Sequence, residues 1–227
     1  MLERALVSPE VFALRPDYMV TLVEVSGLPS GPSDDESRAQ LAASAAHAQA
    51  NGAERHPHVL AWHDAFQSFG AKPKRTRSSV DALLRRTGAG LPEINRIVDI
   101  YNAVSVQYAI PVGGEDPDRY SGPPRLVIAG GGEAFDIYAD GELVDDPAVP
   151  GEVVWRDDIG VTCRRWNWRQ CVRTRITEES ERGYFLLERL EPLTIETLDA
   201  ATADLVERLR QISPSVVVQT RTVAANE

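Results

Sequence analysis

At Pro111 the periodicity of the sequence changes, and with it the kind of structure that the residues on either side can form. Before it, residues 94–108 carry apolar side chains at helical spacing, with Ile94, Ile97, Val98, Tyr101, Val104 and Tyr108 on one side. After it, short β-type runs follow at 126–129, 134–138, 153–156, 161–164, 171–176 and 184–190. Glycines and Asp/Pro clusters separate these runs, as in an antiparallel meander. The expected class is therefore α+β: a mainly antiparallel sheet over about residues 125–190, packed by helices, with the 94–108 helix lying on that sheet.

The flanking segments add to this core. Residues 17–28 are rich in β-branched side chains and end in Gly-Leu-Pro, which predicts a strand and a turn. Ser33 followed by Asp34, Asp35 and Glu36 predicts a helix start, carried by an Ala-rich stretch to Asn51-Gly52. A second helix is expected over 58–69 and a third from Ser78 or Ser79 to Arg86, with a basic loop between them. Residues 194–212 repeat apolar positions at Ile195, Leu198, Leu205 and Leu209, an amphipathic helix, and 215–223 could add a strand. No internal repeat is visible. The division expected is residues 1–70, packed on the rest, and a main domain over 71–227.

The net charge of −10 argues against unspecific binding to phosphate backbones, but the charge is unevenly spread. Residues 72–86 hold six basic side chains against Asp81, and 156–175 hold six arginines against Asp157 and Asp158. The intervening stretch holds three arginines against twelve acids. Two basic zones on an acidic body suit a focused anionic partner, although solvated surface charge would read the same way. No apolar run approaches the roughly 20 residues that span a bilayer. Met1-Leu2-Glu3-Arg4-Ala5 lacks the basic start and apolar stretch of a signal peptide, so a cytoplasmic location is the expectation. Cys163 and Cys171 would then be free thiols. His47, His56, His58 and His63 show no metal-ligand spacing, and no histidine lies near Cys163 to act as its base.

Two segments hold candidate chemistry. Asn95, Asp99, Asn102 and Ser105 form a stripe about 120° wide on the 94–108 helix, at about 3.6 residues per turn. Short polar side chains that favour helix weakly suit a face approached by a ligand, or a buried polar seam that satisfies loops. Gly113 and Gly114 follow, where tight backbone could offer N–H groups to an oxyanion, while Gly130-Gly131-Gly132 reads as a hairpin connection. The second segment, Cys163-Arg164-Arg165-Trp166-Asn167-Trp168-Arg169-Gln170, joins flat stacking surfaces to fixed charge. It could bind a partner, or be a loop tied down by Trp burial and by Arg pairs to Asp157 or Asp158.

These residues resemble the B3/B4 domain, the editing domain of the phenylalanyl-tRNA synthetase β subunit, and above all its freestanding form. Val98-Asp99-Ile100-Tyr101-Asn102-Ala103-Val104 with Pro111 is similar to the family's helix and turn. Gly132-Glu133, Gly151-Glu152 with Asp157, the 164–174 loop ending in Thr174, and Leu187-Glu188 follow in the family's order, so the resemblance covers about residues 75–190. Two departures stand out. Gly113 occupies the place where bacterial synthetases commonly carry histidine, and the loop is Arg/Trp-rich rather than glycine-rich.

The resemblance implies a trans-acting editing factor that hydrolyses the ester of a mischarged tRNA with a positioned water. No cofactor and no metal would be needed, and the partner would be an aminoacylated tRNA. Asn95, Asp99 and Asn102 would orient water or the amino group, and the Gly113 and Gly114 amides would face the oxyanion. Arg164, Arg165 and Arg169 would hold the tRNA end, with Trp166 or Trp168 against the terminal base. Ser105, Glu133, Glu152, Asn167, Gln170 and Thr174 complete the implied substrate contacts. The alternatives are a non-catalytic module that binds tRNA or an amino acid in the same pocket, and a metal- or thiol-dependent hydrolase.

Overall fold

The computed structural model describes residues 1–225. In chain order its elements are β1 (Leu6–Val7), α1 (Pro9–Leu14), β2 (Met19–Ser26), α2 (Asp35–Ala50), α3 (Pro57–Ser68), α4 (Ser79–Leu84) and α5 (Arg96–Tyr108). Then come β3 (Val112–Glu115), β4 (Arg125–Ile128), β5 (Asp136–Ala139), β6 (Glu142–Asp145), β7 (Val153–Arg156), β8 (Val161–Arg164) and β9 (Arg169–Gln170). The chain closes with β10 (Arg182–Arg189), α6 (Ile195–Ile212) and β11 (Val217–Ala224). The class is α+β, with every ladder antiparallel except the short parallel pairing of β1 with β4.

The strands form a four-stranded sheet in the order β11-β2-β10-β3, a five-stranded sheet in the order β1-β4-β7-β8-β9, and the β5-β6 hairpin. Strands β2 and β10 are buried on both faces, and period-two alternation sorts their side chains. Val23, Val25, Phe185 and Leu187 pack with Ile97, Ile100 and Val104 of α5 and Leu198 and Leu205 of α6. Val20, Leu22, Tyr184 and Leu186 share the other core with Leu126, Trp155 and Trp166, on the side of the five-stranded sheet. The four-stranded sheet is thus the middle layer.

Two expectations are corrected. Residues 125–190 do not form one meander beneath α5. β10 pairs with β2 across most of the chain, and α5 packs on the sheet those two strands share. Local alternation cannot report that choice, because it gives the faces of a strand and not its neighbours. Residues 171–176 are also not a strand. Cys171 N–H bonds to Thr162 O, Val172 N–H to Asp136 O, and Thr174 O accepts from Asp116 N–H, so three partners satisfy the backbone where a ladder would use one. β2, drawn from residues 1–70, is itself an inner strand of the middle sheet.

Candidate functional site

The cavity between the two main sheets encloses about 220 Å³. Opposite residues of an antiparallel pair share a face, and the register sets Glu115 against Tyr184 and Gly113 against Leu186. Glu115 and Gly113 therefore look toward the five-stranded sheet, into the cavity, alongside Leu186 and Glu188. Trp155 of β7 and Cys163 of β8 close it from the facing sheet. Tyr101 and Asn102 of α5 form one wall, and Ser79, Ala82 and Leu83 of α4 form another. The 166–170 segment supplies the rest.

That segment is a tight reversal. Arg165 and Trp166 both take positive φ, 47° and 66°, which turns β8 back toward β9 while Trp166 N–H bonds to Val153 O at 2.6 Å. The turn drives Trp166 into the core, fully buried, edge-on to Tyr18 at 5.1 Å and Trp62 at 5.5 Å. Trp168 stays half-buried at the surface. Its ring lies 4.6 Å from the Arg165 guanidinium and 5.0 Å from that of Arg169. Arg169 is exposed and has no ion pair among the described residues.

Two carboxyl groups lie buried in this cavity. Glu188 accepts from Tyr18 O–H at 2.7 Å, Trp155 Nε1–H at 3.0 Å and Asn167 Nδ2–H at 2.7 Å. Burial raises its pKa to about 7, with those three donors pulling the other way. Glu115 is 1% exposed, and apart from the Thr162 hydroxyl beside it neither oxygen meets a hydrogen-bond donor among the described residues. Burial pushes its pKa up to about 8, opposed by the nearby Thr162 hydroxyl and Arg173 guanidinium and reinforced by Asp157 and Glu188. Ser79 Oγ, Trp166 Nε1 and Asn167 Oδ1, on other lining residues, are buried without partners. Such atoms cost free energy unless something else meets them. Burial pushes the Cys163 thiol well up and the Cys171 thiol to about 11, so neither is a thiolate near neutrality. Among the described residues no three His, Cys, Asp or Glu side chains cluster as a metal ion would require.

Beside the cavity runs a cleft lined by Arg75, Arg77, Arg85, Arg86 and Arg169, which shares Ala82, Trp168 and Arg169 with it. The two basic zones of the sequence meet here. Arg77 and Arg85 are partly neutralised by buried Asp81, whereas Arg75, Arg86 and Arg169 have no ion pair among the described residues. A further depression continues past Arg75 to Lys72, Thr76 and Arg165.

The structure brings together Asn102, Gly113, Trp166, Asn167, Trp168, Arg169 and Gln170 from the residues singled out in the sequence. It gives the others different work. Asn95 caps α5, accepting from Val98 N–H at 2.9 Å and donating to Ile176 O at 3.2 Å. Asp99 is fully buried and accepts from Ile94 N–H at 2.9 Å and the Ser37 hydroxyl at 3.3 Å. Ser105 donates to Ile110 O at 2.7 Å. These three answer to the buried-seam reading. Gly114 faces α5, where a Cβ would lie 2.5 Å from Tyr101 Cε1, so close packing and not an oxyanion accounts for the glycine.

The charged candidates are corrected in the same way. Arg164 is buried and forked onto Glu152 by two 2.8 Å bonds, with Asp146 at 2.7 Å, so it holds the loop and not a ligand. Arg165 bonds Glu152 and Thr76, both at 2.7 Å. The acids that tie the loop down are therefore Glu152 and Asp146, while Asp157 pairs with Arg173 and Asp158 with Arg125. Glu133 accepts from Gly130 and Gly131 N–H and closes the glycine turn. Thr174 is fully buried, 3.1 Å from Cys171 Sγ. Sequence reasoning passed over Glu115 and underused Glu188. The signal for Glu188 was present: it stands at a core-facing period of Tyr184-Phe185-Leu186-Leu187-Glu188, where an acid needs partners.

Comparison with known families gives a match to the B3/4 domain over residues 61–220. Comparison with curated proteins gives no match. Solved structures similar to the chain include an N-terminal fragment of the phenylalanyl-tRNA synthetase β-subunit from Pyrococcus horikoshii, at 13% identity and a TM-score of 0.47. That likeness covers 94% of this chain and 49% of the other, so the chain spans about half of that fragment's length.

Proposed function

The chain belongs to the B3/4 domain family, and from that premise we propose that it is a trans-acting editing hydrolase that cleaves the ester of a mischarged tRNA. The observation that carries the reading is the junction of a small cavity with an arginine-lined cleft. A cavity of about 220 Å³ has room for an amino-acid side chain. The cleft suits the phosphates of an RNA end, with Arg75, Arg86 and Arg169 free to contact them. Trp168 offers the terminal base a face already flanked by guanidinium groups. The ester then lies where cavity and cleft meet.

The chemistry at that point is undemanding. A water oxygen attacks the ester carbonyl carbon, the bond to the ribose oxygen breaks, and the water proton passes to that oxygen. Free amino acid and tRNA with a restored hydroxyl are the products. Asn102 is the wall residue whose amide can orient the water, and positioning alone supplies much of the acceleration for an activated ester. Gln170, which donates to Gly114 O at 3.0 Å, fixes the β3 edge beside it.

The test is deacylation of a panel of mischarged tRNAs. The expected result is hydrolysis of at least one by the wild type and a lowered rate with Asn102→Ala at unchanged tRNA affinity. Salt-sensitive tRNA binding with no hydrolysis of any member would instead identify a non-catalytic binding module.

A further inference from the structure

At the end of the middle sheet opposite β3 lies the longest open strand edge among the described residues. β11 is bonded on one side to β2 in unbroken register, from Val217 opposite Ser26 to Ala224 opposite Met19. Thr222 Oγ1, 3.2 Å from Thr21 Oγ1, holds that register. On its other side β11 has no backbone partner among the described residues. Alternate residues of an antiparallel strand turn N–H and C=O outward, so about half of β11 offers an unused row of donors and acceptors. Protein edges are ordinarily blunted by proline, lysine, a bulge, or a charge that a new neighbour would leave unpaired. β11, Val-Val-Gln-Thr-Arg-Thr-Val-Ala, has no proline, lysine or bulge. Its one charge, Arg221, already donates to Leu2 O at 2.7 Å and Ala5 O at 2.9 Å, so a strand laid alongside does not strand it.

We propose that β11 is a dimer interface, pairing antiparallel with β11 of a second copy of the chain about a two-fold axis and joining the two middle sheets into one. Symmetry and charge point to a second copy as the occupant. In an isologous antiparallel pair each outward N–H meets an outward carbonyl of the same strand in the other copy, so one sequence satisfies both sides. The strand holds one positive charge and no acid in a chain of net charge −10, so two copies meet here without opposing acids. Gln219 and Thr220, exposed beside the strand centre, present neutral side chains to the neighbour. The cavity takes no lining residue from β11, and β3 and β10 line it toward the other end of the sheet. Pairing through β11 therefore neither needs nor blocks the editing chemistry.

Sedimentation velocity over a dilution series tests the pairing, on wild type, Thr220→Lys and Thr220→Glu. Beside the strand centre, residue 220 lies near its own copy in the dimer, so a charge placed there meets a like charge. The position is exposed, and each variant should melt with the wild type. The expected result is a wild-type dimer, a dissociation constant raised at least about tenfold in each variant alone, and a dimer recovered when the two variants are mixed. Hydrogen exchange of the wild type needs no substitution. Alternate amides over 217–224, protected in concentrated protein, should lose protection on dilution, while those bonded to β2 keep theirs. A wild type monomeric throughout would overturn the proposal, as would a dimer that Thr220→Lys leaves intact, a mixture that recovers no dimer, or β11 amides indifferent to dilution.

Discussion

Carrying Glu115 into the fold removes its hydration, which the nearby Thr162 hydroxyl and Arg173 only partly offset, so its proton is retained to about pH 8, against 4.5 for a free glutamate. Glu188, raised to about 7, behaves alike. A carboxyl whose folded pKa is raised stabilises the fold below its unfolded value and loses that contribution as pH rises through the folded one. Thermal stability should therefore fall as pH rises through about 7 and about 8, and Glu115→Gln should flatten the upper part of that fall. A melting temperature in the variant with the wild-type slope would contradict the assignment. His58 works at the other end. Its Nδ1–H donates to Ala109 O and its Nε2 accepts from Trp62 and Leu190, and burial lowers its pKa to about 4. Its contribution is lost as pH falls from 6.5 through about 4, so melting followed in acid should improve in relative terms when His58 is replaced by Gln. The two tryptophans of the loop also separate. Trp166→Ala empties a core position and should cost about 3–5 kcal/mol by denaturant melts, while Trp168→Ala should cost far less and weaken RNA binding instead.

The element that most exactingly shapes the site is β3, four residues whose alternate faces do opposite things. Gly113 and Glu115 serve the cavity, and Gly114 lets Tyr101 of α5 lie against the strand. Gly114→Ala would force a Cβ to 2.5 Å from Tyr101 Cε1, an overpacking expected to cost about 1–3 kcal/mol and to lower the melting temperature. An unchanged melting temperature would show that α5 is not seated on β3 as described. The sequence foreshadowed most elements because their signals are local. Asp34 and Thr194 cap α2 and α6 with short polar side chains, and Leu198, Leu205 and Leu209 recur at helical spacing. It concealed the pairing of β2 with β10 and the split of residues 125–190, since partner choice depends on contacts between distant segments. The site was half legible for the same reason. Asn102 and the 167–170 segment stood out by composition, but the same composition marked Asp99, Arg164 and Trp166, which serve the fold's own hydrogen bonds, ion pairs and core. A polar residue is free for a ligand only when its neighbours leave it unpartnered, and those neighbours come from other elements.

For the molecule as a whole, a chain of net charge −10 gathers five arginines around one cleft, of which Arg75, Arg86 and Arg169 have no ion pair among the described residues. Such focusing makes binding to a polyanion depend on few contacts, so removing one arginine should visibly reduce the salt dependence of affinity. The central claim is that this cleft and the adjoining cavity act on one ligand, the cleft holding the RNA end and the cavity its amino acid. Single-turnover deacylation of the best mischarged tRNA, measured against protein concentration for wild type, Arg169→Ala and Asn102→Ala, tests it most directly. The account predicts that Arg169→Ala raises the half-saturating concentration by about tenfold, as a charge-assisted phosphate contact implies, at a nearly unchanged maximal rate. Asn102→Ala should lower the maximal rate and leave half-saturation in place. A wild type that cleaves no mischarged tRNA faster than buffer at saturating concentration, or an Arg169→Ala variant indistinguishable from it in both parameters, would contradict the claim.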